Sequence, residues 1–320
     1  MTSKKCHYCN ETAIVRIPYI KLRLCKDHFI QYFEQKFVKT IESFNLFKGI
    51  RKVVLGFSGG KDSSALLYLL HKYSELFNLE IYPIHIDLGI EDYSKQCLTI
   101  VDKVEGKLGI KCITVKVKDY GFTISDVKRL ESRIKRPICS VCGIVKRYIL
   151  NKIALELKVD AVITAHNLND IAQYLLVNYM SGNVDGLVKI TPKIPSIGNA
   201  VCRLKPLFLI PENEIQLYVE LLEIPHVNIK CPYFNSSKKP LQQSLRELLI
   251  HIESKYPGTL INMVMNYLRN IHPILNRHVR HGDVKNCLIC GMPTQKDICA
   301  FCKIRMKIQN LNDERSSSEE

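Results

Sequence analysis

The segment Val53-Val54-Leu55-Gly56-Phe57-Ser58-Gly59-Gly60-Lys61-Asp62-Ser63-Ser64 passes from an apolar run into two adjacent glycines. Ala65-Leu66-Leu67-Tyr68-Leu69-Leu70 continues it with a helical pattern. The order reads as a strand, a tight turn and a helix start. Adjacent glycines remove side chains where an oxyanion must approach the backbone. The helix start adds unpaired N–H groups and the positive end of its dipole. Lys61 supplies a point charge, and Ser63 or Ser64 a hydroxyl. This is the chemistry of a phosphate-binding turn. It is not a Walker A loop, because Leu55 stands where the first glycine belongs and Asp62 follows the lysine. A Gly-x-Gly-x-x-Gly dinucleotide fingerprint is also missing.

Outward from the turn, residues 50–235 alternate between strand and helix patterns. Further strands are expected over 79–87, 110–117 and 159–165, with a helix over 91–108. Such alternation implies an α/β fold with a doubly wound parallel sheet, right-handed crossovers and helices on both faces. Ligands then bind at the carboxyl ends of the strands. That rim carries the glycine turn, residues 85–87 and the stretch after Ala165. His85 reads as a strand-end residue rather than a participant. Asn167 is placed to cap a helix over 170–180, with Asp170 in its first turn. Between the third and fourth strands lies Cys139-Ser140-Val141-Cys142-Gly143, leading into a helix that reaches residue 157. Lys146 sits one turn beyond Cys142 on a similar face.

The chain has 320 residues, 46% of them hydrophobic, enough for one large domain with small appendages. No apolar run approaches the ~20 residues of a membrane span, and the N-terminus lacks a signal-peptide pattern. A cytoplasmic protein without membrane attachment is expected. The formal net charge of +15 calls for a polyanionic partner, most often nucleic acid. Thirteen cysteines in a cytosolic chain point to metals rather than disulfides. Cys6, Cys9, Cys25 and His28 have the spacing of a tetrahedral zinc site, and so do Cys287, Cys290, Cys299 and Cys302. Both are expected to be structural, since four protein ligands leave no open position. Cys231, followed by Pro232, is a candidate third ligand for the Cys139/Cys142 pair. A buried small hydrophobe, or a reactive Cys139–Cys142 disulfide, are the rival readings.

Five segments follow: an N-terminal zinc finger with a linking helix (1–48), the α/β domain (49–235), a helical extension (236–280), a C-terminal zinc ribbon (281–309) and a disordered tail (310–320). In the linking helix, Phe29, Phe33, Phe37, Ile41 and Phe44 recur at helical spacing and should dock the finger. The extension carries Lys238, Lys239, Arg246, Arg269, Arg277 and Arg280 on its outer positions. With Lys128, Arg129, Arg133, Lys135, Arg136 and Arg147 these form a candidate electropositive groove. The basic residues near Cys139 and Cys142 are the best candidates for phosphate contacts.

Taken in order, these motifs resemble the TtuA/Ncs6 family of PP-loop tRNA 2-thiolation enzymes, closer to its TtuA side. The resemblance spans nearly the whole chain: the N-terminal finger, Ser58-Gly59-Gly60-Lys61-Asp62-Ser63, Cys139-x-x-Cys142-Gly143, His166-Asn167-Leu168-Asn169-Asp170, the lone Cys231 and the C-terminal ribbon. Cys231-Pro232-Tyr233 and Glu253-Ser254-Lys255-Tyr256-Pro257-Gly258 look more like enzymes that thiolate ribothymidine 54 than those acting on wobble uridine 34. The resemblance implies a PP-loop ATPase (HUP-like) fold and splitting of ATP to AMP and pyrophosphate. It implies ATP with Mg²⁺ at Ser58, Gly59, Gly60, Lys61, Asp62, Ser63 and Ala165. It implies a [4Fe–4S] cluster on Cys139, Cys142 and Cys231, all three catalytic, and catalytic roles for Lys146 and Asp170. Implied partners are tRNA and a ubiquitin-like sulfur carrier ending in a thiocarboxylate, and the implied assembly is a homodimer.

Three positions depart from the family pattern. Leu88 replaces a glutamate after the second strand, Asn169 replaces the first acid of His-Asn-Leu-Asp-Asp, and Ala165 replaces a glycine. Two other functions fit parts of the chain: a persulfide-using PP-loop tRNA modifier without iron, and a non-enzymatic zinc-finger RNA-binding module.

Overall fold

The computed structural model describes residues 5–235, 241–278 and 284–319. The chain opens with an antiparallel hairpin, β1 (Val15–Ile17) and β2 (Leu22–Leu24), followed by helix α1 (Lys26–Ser43). Phe29, Phe33 and Phe37 lie four residues apart on one face of α1 and are wholly buried. Burying each such side chain stabilises by about 1.5–3 kcal/mol. Phe33 stacks on Tyr218 at 4.2 Å. The buried Glu34 accepts hydrogen bonds from Lys72, Tyr73 and Tyr218, so its charge is paired inside the protein. These contacts fix the N-terminal module to the α/β domain.

That domain runs β3 (Lys52–Gly56), α2 (Lys61–Lys72), α3 (Ser74–Phe77), β4 (Glu80–Asp87), α4 (Glu91–Leu108) and β5 (Ile113–Lys116). It continues with α5 (Ile124–Arg129), α6 (Glu131–Ile134), α7 (Ile138–Glu156), β6 (Ala161–Ile163) and α8 (Leu168–Met180). It closes with α9 (Val184–Val188), β7 (Lys193–Ile194), β8 (Cys202–Leu204) and α10 (Glu212–Leu221). The sheet order is β5-β4-β3-β6-β8-β7, parallel except for β7 at the edge. The chain builds outward from β3 to β5, then returns to place β6 against the other side of β3. The order therefore reverses between β3 and β6, where a ligand crevice is expected.

Along β3, Val53 and Leu55 enter one apolar layer and Val54 the other. Helices α1, α2 and α10 cover the first face, and α5, α7 and the C-terminal helix the second. The strands β5 and β6 are shorter than their sequence patterns suggest. β7 and β8, two and three residues long, carry too few residues to show any period.

Helices α11 (Leu241–Lys255), α12 (Thr259–Asn266) and α13 (His272–His278) follow, with a π turn at Tyr267–Ile271. Leu249, Leu260, Val264 and Tyr267 pack on Leu168, Ile171 and Leu175 of α8. Lys238, Lys239 and Arg280 of the candidate groove lie outside the described residues. A short hairpin, β9 (Lys285–Asn286) and β10 (Pro293–Thr294), leads to α14 (Ala300–Glu319). The stretch 310–319, where the sequence suggests a disordered tail, lies within the backbone span of α14. Phe301, Ile304 and Ile308 anchor the helix in the core, and neither glycine nor proline interrupts the sequence after them. Among the described residues, no helix is long and apolar enough to cross a membrane.

Candidate active site

The glycine turn joins β3 to α2 at the reversal of strand order. Gly59 has φ near +77°, and a Cβ there would stand 3.5 Å from the carbonyl oxygen of Cys97. The positive φ favours glycine, while the added Cβ would meet Cys97 only at ordinary contact distance. Gly60 begins α2 without any side-chain cap, so the first N–H groups of the helix stay open. The Ser58 and Ser63 hydroxyls lie 3.1 Å apart, and Ser63 donates to the Gly60 carbonyl at 2.9 Å. The turn faces a cavity of about 370 Å³. Ser58, Gly60, Asp62, Ser63, Lys146 and Ala165 all line it. Ile84, Ile86 and Leu88 supply an apolar wall. His85 also lines the cavity; it is buried, and its Nδ1 pairs with the Phe57 carbonyl at 3.0 Å.

Lys61 does something its sequence position does not announce. Its ammonium turns away from the cavity and binds Asp62 at 3.0 Å and Glu212 at 2.8 Å. Glu212 also accepts from Arg246, which binds Asp170 at 3.0 Å. Asn167 caps α8 through Asp170 and donates to Asp62 at 3.2 Å. Lys61, Asp62, Asn167, Asp170, Arg246 and Glu212 therefore form a closed polar ring behind the turn. Burial pushes the Asp62 and Asp170 carboxyls up, against the pull of Lys61 on one and Arg246 on the other. Burial opposes ionisation of Glu212 too, but Lys61 and Arg246 together bring it below the usual range. Asp170 thus stands behind the cavity wall rather than in it. Glu212 escaped the sequence reading. Its one signal is an acid just after Pro211, where a helix begins.

The departures from the family pattern acquire physical reasons. Leu88 is buried in the apolar layer beneath α7. The Asn169 side chain accepts the Glu212 N–H at 3.0 Å, holding the start of α10. Ala165 packs at the edge of the core while lining the cavity.

Cys139 and Cys142 occupy the first two turns of α7, three residues apart and so on one face. Lys146 follows one turn later. Cys231 reaches them from far along the chain because its segment is pinned on both sides. The Val227 N–H donates to the Gly59 carbonyl at 2.8 Å. The Tyr233 hydroxyl lies 3.0 Å from Ser125 Oγ. Cys142 and Cys231 pack against the same apolar layer. Burial pushes the Cys139 and Cys231 thiols up, Cys142 reinforces both, and Lys146 opposes both. The three sulfurs do not all fall within 4.8 Å, the spread of a single-ion site. An all-sulfur donor set at wider spacing suits a polynuclear iron–sulfur group, whose cysteines bind different irons.

Two other sets do close to single-ion distance: Cys6, Cys9, Cys25 and His28, and Cys287, Cys290, Cys299 and Cys302. Cys25 Sγ lies 3.2 Å from His28 Nδ1, and Cys290 Sγ 3.7 Å from Cys299 Sγ. Each offers four donors of the kind a tetrahedral metal ion takes.

Residues 30–228 match the PP-loop domain family, and residues 5–30 match the N-terminal LIM domain of 2-thiouridine synthetase TtuA. The tRNA-5-methyluridine(54) 2-sulfurtransferase of Pyrococcus horikoshii is 35% identical over 99% of this chain and 98% of its own length. The enzyme of the same name from Thermotoga maritima is 33% identical, over 95% of this chain and 97% of its own. The solved structure of the U34-tRNA thiolase NcsA from Methanococcus maripaludis, with its [4Fe–4S] cluster, superposes with a TM-score of 0.78 at 30% identity, covering 97% of each chain. With the nucleotide turn, the three convergent thiols and the two four-donor sets in place, the chain belongs to the family of PP-loop tRNA sulfurtransferases.

Proposed function

We propose that this protein 2-thiolates tRNA at the expense of ATP, acting on ribothymidine 54. The observation that carries the reading is the position of Lys146, on the wall of the nucleotide cavity and one turn from the Cys142 end of the thiol set. The Pyrococcus and Thermotoga relatives named for position 54 support the target. ATP, with Mg²⁺, lies along Ser58 to Ser63 and Ala165, its phosphates at the open N–H groups of α2. The C2 oxygen of the uracil attacks the α-phosphorus, and pyrophosphate leaves. A sulfur nucleophile then forms the S–C2 bond, the C2–O bond breaks, and AMP departs with the oxygen. Lys146 neutralises charge that builds on the α-phosphate and on the pyrimidine. Asp170, through Arg246 and Asn167, keeps Asp62 and the turn in place.

Cys139, Cys142 and Cys231 hold a [4Fe–4S] cluster. With three protein thiolates as its ligands, such a cluster would supply a site able to hold inorganic sulfide for transfer. A sulfur carrier with a C-terminal thiocarboxylate would supply that sulfide by hydrolysis, water taking the place of the sulfur so that the carrier leaves as its carboxylate. Zinc fills the two four-donor sites, and the enzyme works in the cytoplasm as a homodimer.

The test is anaerobic purification followed by thiolation assays on tRNA, with digested fragments read by mass spectrometry. A brown protein absorbing near ~400 nm that adds sulfur at position 54 is expected. Asp62→Ala and Cys231→Ala should each abolish thiolation while leaving tRNA affinity nearly intact. A colourless, active protein holding only zinc would replace the cluster with a persulfide route. Thiolation confined to position 34 would correct the target. Tight tRNA binding with no tRNA-dependent pyrophosphate release would leave only an RNA-binding module.

A further inference from the structure

Beyond Lys146, Arg147 and His166 line the nucleotide cavity, and Arg203 and Lys205 lie close enough to act on them. Arg147 on α7 lines that cavity and also a second groove of about 280 Å³, which leads to the C-terminal module at Met292 and Phe301. Arg203 on β8 lines the same groove. Lys205 lies just beyond β8, and His166 just beyond β6. No aspartate or glutamate lines the groove. The nearby carboxylates Asp62, Asp170 and Glu212, of which Asp62 also faces His166, are engaged by Lys61 and Arg246. Among the described residues, no ion pair includes Arg147, Arg203 or Lys205.

The cations act on one another. Burial pulls the His166 imidazole down to about 4, and Lys205 and Arg147 add to it. Burial, reinforced by Arg203, pulls the Lys205 ammonium down to about 8. Lys205 is held by the Thr191 and Lys189 carbonyls at 2.8 and 3.3 Å, which fix it without neutralising it. Arg147 folds back along its helix, and a Cβ on Gly143 would stand 3.2 Å from its Nη1. The glycine after Cys142 thus lets the guanidinium lie beside the thiol pair. Partly desolvated like charges with no counter-charge are unfavourable alone and are relieved by an anion.

We propose that Arg147, Arg203 and Lys205 form a phosphate clamp that receives the RNA backbone beside the target nucleotide. The proposal rests on the tRNA reading above and deepens it: the strand leaves the cavity along the groove toward the C-terminal cysteines. The phosphate chemistry has one other source, the triphosphate of ATP, and the test separates the two. Full-length wild type, Arg203→Ala and Arg203→Lys are titrated with tRNA from 50 to about 200 mM salt. The KM for ATP and the melting temperature are measured alongside. Arg203→Ala should weaken tRNA binding about tenfold and reduce the log–log salt slope by about one. Its KM for ATP and its melting temperature should not suffer, since it removes a repelling charge, and Arg203→Lys should restore most of the affinity. A raised KM for ATP with unchanged tRNA affinity would assign the cations to the triphosphate and overturn the clamp. So would lost affinity that follows lost thermal stability and is not rescued by lysine. Unchanged tRNA affinity in Arg203→Ala removes the clamp alone, whereas a wild type with no tRNA affinity removes the thiolation reading with it.

Discussion

Glu212 accepts from Lys61 and from Arg246, and both cations serve a second acid in turn. Its depressed pKa means that ionised Glu212 favours the folded state. That stability is full above the ordinary value of 4.5 and is lost as pH falls through the lower folded value. Glu212→Gln should therefore cost about 2 kcal/mol at neutral pH. The gap between its melting temperature and that of wild type should narrow in acid, below the ordinary carboxylate range. A gap independent of pH would deny Glu212 its charge-dependent role. The ring also explains what the sequence could not say about Lys61. The motif specifies a cation after two glycines, but its direction depends on an acid on α10, which no local spacing reveals. Asn167 was legible because a cap bonds to its own helix. Arg203 and Lys205 were not, because β8 is three residues long and their company is assembled by the sheet.

At the scale of elements, α7 carries the densest set of candidate site residues: two thiols, a lysine and an arginine over its first ten residues. Its outer face is held by the C-terminal module, where Phe301 stacks on Tyr148 at 3.7 Å with the rings nearly parallel. Phe301 lies between Cys299 and Cys302, so the four-cysteine knuckle aims the ring. Cys302→Ser should reduce bound zinc from two equivalents to one and lower the melting temperature by several degrees, at roughly 2–4 °C per kcal/mol. Metal analysis and a thermal melt check both. Unaltered zinc content would mean the knuckle is closed by something other than a metal. The strand-turn-helix, the alternation around it and both cysteine knuckles could be read from spacing, because each is a local pattern. The length of α14 could not. Its last turns are polar and serine-rich, a composition shared with disordered tails, and they continue a helix anchored by earlier residues.

For the whole molecule, a net charge of +15 sets the approach of a polyanion before any contact forms. Affinity for tRNA should fall steeply and linearly in log–log form with added salt. A flat response would place recognition in neutral contacts and leave the charge unexplained. The order of the sheet puts the nucleotide turn, the start of α7 and the end of β6 at one crevice, so residues from 58 to 246 meet within a single neighbourhood. One backbone contact joins two of its halves: the Val227 amide on the Gly59 carbonyl. A turn that reshapes to admit a triphosphate must carry residue 227 with it, and Cys231 sits four residues on. If ATP binds at the turn and sulfur is held near Cys231, this one amide is the expected gear between fuel and cargo. Slowed exchange of the Val227 amide on adding a non-hydrolysable ATP analogue is the expected sign, and exchange indifferent to nucleotide would show the gear disengaged.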